Sequence, residues 1–301
     1  MGVAAADKSI PWASSGESRK PHLGVVGRFV RSSPLGALAA VFLVGLLFVG
    51  VFADALSAYD PIIADYSVSR SPPTNEHVFG ADHMGRDTLS RIMHGARVSL
   101  FVALVSVFVG DSVGLLWGIA SGFHGGRFDL ISQRSLDTLL SFPGLILAML
   151  LLVGLGAGLQ TVIIAIAVTR IPLATRVIRS VVLSVRNMAY VEAARAVGSS
   201  NVRLMLMHVL PQCVAPFLVI ASAGIGVAIT TEAALSFLGI GVPPPTPTWG
   251  NMLGGVLADS FRPRWWLVVY PGAFLTLTVL AANLFGDAVR DFLDPKLRGK
   301  G

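Results

Sequence analysis

Six apolar stretches dominate this chain: residues 35–56, 98–121, 137–157, 159–181, 213–238 and about 267–288. A helix needs roughly 20 apolar residues to cross the hydrocarbon core of a bilayer. In lipid, only helices and closed barrels satisfy their own backbone hydrogen bonds. Runs of this length therefore predict an all-α membrane protein with six transmembrane helices. Composition agrees: 53% of residues are hydrophobic, only 13% are charged, and the mean hydropathy is +0.71, whereas soluble domains carry about 25% charged residues. The stretch 159–181 is the weakest of the six, because Arg170 and Arg176 interrupt it. The first run is longer than the apolar segment of a secretory signal, which spans about 7–15 residues, so it reads as a retained span.

Six spans put both ends of the chain on one side. Of the 23 Lys and Arg residues, 17 fall in 1–34, 122–136, 170–211 and 290–301, and 6 fall in the alternate segments. Basic residues concentrate on the cytoplasmic side, so both termini are expected inside. The net charge of +6 and pI near 10.0 then reflect membrane orientation, and no nucleic-acid partner is expected. The resulting organisation is a cytoplasmic tail (1–34), a first helix with an outer loop (35–97), a transmembrane domain (98–288) with a long cytoplasmic loop (182–211), and a C-terminal tail (289–301).

That loop contains YVEAARAVGSSNVRLMLMHVLP, residues 190–211. Its pattern predicts one short helix over 188–196 and a second over 200–209. Gly198 between them tolerates the left-handed geometry of a helix C-terminus. Ser199 or Ser200 is a candidate N-cap, and Pro211 is expected to mark a bend into the fifth span. Both helices are expected to lie across the membrane face. Ala193 and Ala194 give a flat, small surface, flanked by the charges of Glu192 and Arg195, that suits docking into a groove on another protein. An ordinary solvated connector is the alternative.

Elsewhere, glycines at 110, 114, 118 and 122 form a stripe that lets another backbone approach closely, either within the chain or from a second membrane subunit. Asp111 beside it is a functional candidate or a hydrogen-bonded helix contact. For Arg170 and Arg176, snorkelling to the inner interface is preferred over lining a path; Glu232 is similarly ambiguous. Three prolines at 243–245 must end the fifth span, and Trp249, Trp265 and Trp266 are expected at the outer interface. Cys213, the single cysteine, is an apolar packing residue. His77, His83 and His94 fit no common metal-ligand spacing.

The spacing Glu192-Ala193-Ala194, Gly198, Leu210-Pro211 resembles the cytoplasmic signature of permease subunits in ATP-binding-cassette (ABC) importers. His208 stands where histidine is common in the dipeptide/oligopeptide/nickel branch. Glu232-Ala233-Ala234 repeats the tripeptide but has Leu238 at the glycine position. HVFGADHMGRDTLSRIMHGARVSL (77–100), LSFLGIGVPPPTPTWG (235–250) and GDAVRDFLDPKL (286–297) are similar to blocks of the same family, with Ala81 where threonine is common. The resemblance covers about residues 24–298, and the outer loop of about 40 residues looks like that of the "C"-type member of a permease pair.

The resemblance implies a type I ABC importer permease (MetI-like) fold in the plasma membrane. It further implies a heterodimer with a second, "B"-type permease, two cytoplasmic ATP-binding subunits, and an extracytoplasmic substrate-binding protein. Glu192, Ala193, Ala194, Arg195, Gly198, Arg203, His208 and Pro211 would form the ATPase-docking loop, with Arg86 and Asp87 as possible outer-face contacts. ATP and magnesium would bind the partner subunits, since this chain carries no phosphate-binding loop. No catalytic, cofactor or metal residues are expected. Peptides are the expected cargo, with nickel chelates or glutathione as alternatives. A stand-alone secondary transporter would need an inverted repeat or charges paired at mid-bilayer. An intramembrane enzyme would need a catalytic motif that is not found.

Overall fold

The computed structural model describes residues 25–259 and 264–293, so most of the two expected tails lies outside the described residues. The described residues form helices α1 (Val25–Ser32), α2 (Pro34–Val51), α3 (Ala53–Leu56), α4 (Thr88–His124), α5 (Gly126–Leu140), α6 (Gly144–Leu155) and α7 (Leu159–Val185). The chain continues through α8 (Ala189–Ala196), α9 (Asn201–Leu204), α10 (Leu210–Phe237), α11 (Trp249–Asp259) and α12 (Trp265–Leu293). Among the described residues there is no strand, only an isolated bridge between Ala81 and Asp87.

Five helices are long and apolar enough to cross a membrane: α2, α4, α7, the continuous helix 201–237 and α12. The sixth expected span differs. Residues 137–157 are not one helix but the end of α5 and the whole of α6, which meet at 88°. Pro143 is the cause. It offers no amide hydrogen, its ring clashes with a preceding helical turn, and it pushes Phe142 away from helical geometry. The charges of α5 reach α7: Arg179 Nε donates to Asp129 Oδ1 at 2.6 Å, and Arg176 pairs with Asp137.

The core is a tight α4–α7 pair. A Cβ at Gly110, Gly114, Gly118 or Gly122 would run into Ala167, Ala174, Thr175 or Val182 of α7, respectively. The glycine stripe is therefore spent inside the chain. Across this seam Arg170 Nε and Nη2 donate to the two oxygens of Asp111, at 3.0 and 2.7 Å. Arg170 is only 8% exposed and Asp111 fully buried, which corrects the snorkelling expectation for Arg170: a facing carboxylate holds it in the bundle. Its Nη1 and Nη2 also approach the Gly224 and Ile220 carbonyls of α10 at 3.4 Å. The tryptophan expectation also changes. Trp249 is fully buried and donates from Nε1 to the Ile92 carbonyl at 3.2 Å, and Trp266 is buried too, leaving only Trp265 exposed.

Candidate functional site

At one end of the bundle, the loop after α7 is built on a second apolar cluster. Ile119 and Phe123 of α4, Ile178, Val182 and Val185 of α7, and Cys213 of α10 form its base. Val191 of α8, Leu204 of α9 and Val209 reach down into it, each fully buried. These three apolar side chains fix short helices that could not persist alone in water.

The helix ends follow local chemistry. Gly198 has φ +89°. Its N–H donates to the Arg195 carbonyl at 3.0 Å, and the Ser199 N–H donates to the Ala194 carbonyl at 3.1 Å. This paired closure is the Schellman motif, which needs a left-handed residue where Gly198 stands. The Ser200 hydroxyl caps α9 by accepting from the Arg203 N–H at 3.4 Å.

The second half differs from expectation. Helix 200–209 ends as regular α-helix at Leu204 and continues as a π turn, Met205–Val209, directly into α10. Pro211 therefore marks no break; it sits in the first turn of α10 within one helix running from Asn201 to Phe237. The wider π turn relieves the contact between the proline ring and the preceding turn and absorbs its missing donor. So only α8 stands apart as a separate short helix, while α9 is the end of a rod.

Glu192, Ala193, Arg195, Gly198, Arg203 and Pro211 are exposed; Ala194 and His208 are half-buried. Ala194 turns inward against the cluster, so of the two neighbouring alanines Ala193 keeps the small open surface. The Arg195 guanidinium stands 5.9 Å from the centroid of the Phe123 ring, a cation–π distance. The His208 ring stacks on Tyr190 at 6.2 Å, and its Nδ1 has no partner. Sequence reasoning missed the apolar part of this face. Val197 is 88% exposed, Met207 68% and Val202 60%. Isolated apolar letters between charges carry no signal of exposure until the anchors Val191 and Leu204 show which way each helix turns.

The repeated tripeptide lies elsewhere and does something else. Glu232 is fully buried and accepts from Ser99 Oγ at 2.9 Å and Ser236 Oγ at 2.7 Å.

At the opposite end of α4, Arg86 and Asp87 are 7% and 4% exposed. Both are committed internally rather than presented at the surface. Asp87 caps α4, accepting from the Ser90 N–H and Oγ at 2.8 Å, and its other oxygen faces His77 Nδ1 at 3.0 Å. Arg86 Nε donates to Asp82 Oδ2 at 2.7 Å. His94 faces Asp54 instead, so the histidines of this segment are dispersed. Arg97 first, then His94, holds the exposed Asp54 carboxyl below the usual carboxylate range, tying α3 to α4.

Residues 114–299 match the family described as "Binding-protein-dependent transport system inner membrane component". The chain is 38% identical over 293 residues to the glutathione transport system permease protein GsiD of Escherichia coli O1:K1 / APEC, covering 97% of this chain and 96% of that protein. It is 40% identical over 271 residues to the probable D,D-dipeptide transport system permease protein DdpC of Escherichia coli (strain K12), covering 90% and 91%. It is 41% identical over 270 residues to the di/tripeptide transport system permease protein DppC of Pseudomonas aeruginosa (strain UCBPP-PA14), covering 87% and 89%. Among solved structures, the inward-facing MetNI methionine ABC transporter (CY5 native crystal form) aligns with a TM-score of 0.56 at 18% identity, over 68% of this chain and 97% of that chain. An amino acid ABC transporter with histidines aligns at 0.52 and 15% identity, over 67% and 94%. Fold, apolar helices and relatives agree: this chain belongs to the inner-membrane permease family of binding-protein-dependent ABC importers, whose members work with a substrate-binding protein and an ATPase.

Proposed function

We propose that this chain is the "C"-type permease of an importer for short peptides, with both termini in the cytoplasm. It pairs with a different, "B"-type permease, and two ATPase subunits dock below. The names of three relatives concern a D,D-dipeptide, di/tripeptides and glutathione; all are short chains of amide-linked residues, and that shared chemistry supports the substrate class.

The observation that carries the docking role is mechanical. The face built from α8, Gly198 and α9 is exposed, anchored by Val191 and Leu204, and joined without a break to α10. An ATPase pair that closes on ATP can pull on such a face and move α10 as a rigid body, the kind of discrete rearrangement that alternating access requires. Glu192, Ala193 and Gly198 form the contact, with Ala194 packing behind it. Arg195 and Arg203 supply charge. His208 and Pro211 hold the base of the rod.

The stand-alone transporter reading shares one feature with this molecule, the buried charge pair. Asp111 and Arg170 are spent on each other and on α10 carbonyls, which favours a structural joint over a proton relay.

The test is Gly198→Val in the complete transporter. The expected result is loss of peptide uptake with the protein still present in the membrane and the ATPases lost on purification. Normal uptake by that variant would remove the docking role.

A further inference from the structure

The outer segment and α11 line a small cavity that the transport reading does not use. Asp82, His83, Arg86, Thr88, Arg91 and Asn251 contribute the polar groups of an otherwise apolar wall, and the volume is about 30 Å³. A site of that size takes roughly two water-sized groups.

Three features give the cavity a preference. First, two guanidiniums share a single carboxylate. Arg86 Nη2 lies 2.7 Å from Asp82 Oδ2, and Arg91 Nε lies 3.6 Å from the same oxygen. The other nearby carboxylate, Asp87, is turned toward His77 and Ser90. Second, Arg86 is 7% exposed and Arg91 4%, and charges shielded from water in this way act over short distances with little screening. Third, Thr88 lines the cavity, and its fully buried hydroxyl has no hydrogen-bond partner. Buried hydroxyls without partners are uncommon, because each forfeits its hydration. Thr88 also opens α4, a helix of 37 residues, whose N-terminus adds positive potential.

We propose that this cavity binds a carboxylate. The two oxygens of a carboxylate match its size, and the four of a phosphate exceed it. One oxygen takes the Thr88 hydroxyl proton as a hydrogen bond and the other faces the Arg91 guanidinium. Placing the site on the outer side rests on the orientation proposed above; the cavity itself does not. The carboxylate comes either from the C-terminus of a peptide cargo or from an acidic side chain of a docked protein.

Saturation-transfer NMR on the purified full chain, with its co-purifying subunits in detergent, tests this using acetate, Ala-Ala and the C-terminal amide of Ala-Ala as probes. No ATP or transport is required, so the outcome is independent of the importer reading. Acetate is expected to receive saturation. Thr88→Val, which keeps shape and the Asp87 cap, should weaken it about fivefold with an unchanged melting temperature. Arg91→Gln should weaken it about tenfold. Tighter binding of Ala-Ala than of acetate, with none of the amide, assigns the carboxylate to the cargo. Acetate bound as well as or better than Ala-Ala assigns it to a docked protein. No saturation of acetate, or equal affinity in wild type and Thr88→Val, overturns the proposal.

Discussion

Single residues decide whether charge can exist inside this bundle. Asp111 and Arg170 meet with both guanidinium-to-carboxylate bonds made. Breaking a buried pair by removing one partner strands the other charge and costs about 3–5 kcal/mol, while replacing both by apolar residues is often neutral. Asp111→Asn should therefore lower the yield and melting temperature of the detergent-solubilised protein sharply. The double variant Asp111→Leu/Arg170→Met should recover most of that loss. Gly224 belongs to the same joint, since a Cβ there would overlap the Arg170 guanidinium. Gly198 is the contrary case. A Cβ at Gly198 meets open space, so Gly198→Ala suffers only from the left-handed backbone, roughly 1–2 kcal/mol. Thermal melting should show that small loss. The bulkier Gly198→Val adds a branched side chain on the proposed docking face itself.

Between helices, closeness of approach is the governing quantity. The α4 stripe is smooth because α7 needs its space, so Gly118→Leu should separate the pair and abolish expression of folded protein. Gly45→Leu is the matched control: Gly45 in α2 meets nothing within 4 Å, and the folded yield of that variant, read by size-exclusion chromatography, should match wild type. The stripe was legible in the sequence as a repeat of four, but not its partner. The same holds for the bend between α5 and α6. Pro143 was visible, yet the apolar run around it reads as an uninterrupted span. Hydropathy reports solvent, and a bent segment inside a membrane has the same solvent as a straight one.

For the molecule as a whole, α4 connects the proposed docking face beside Phe123 with the cavity at Thr88. Cysteine labelling separates the sides. Ile63 and Val197 are 69% and 88% exposed, whereas the native Cys213 is fully buried. In intact cells with an opened outer membrane, Ile63→Cys should react with an impermeant maleimide, Val197→Cys only after the inner membrane is broken, and the native chain in neither case. Reaction of Val197→Cys in intact cells would reverse the proposed orientation.

From the sequence alone came the membrane, six spans if the bent α5–α6 pair is one of them, α8 with its glycine closure, and the signature that pointed to the family. Each follows from local physics: run length against bilayer thickness, a residue with φ above zero, and a fixed spacing of letters. Tertiary structure alone decided where Arg170 finds its carboxylate, 59 residues away, that Pro211 continues a rod, and that Trp249 is buried beneath Ile92. It also decided that Arg86 and Asp87 turn inward around Thr88. These outcomes depend on which distant backbone lies opposite each side chain, and a linear pattern carries no distance across the bundle.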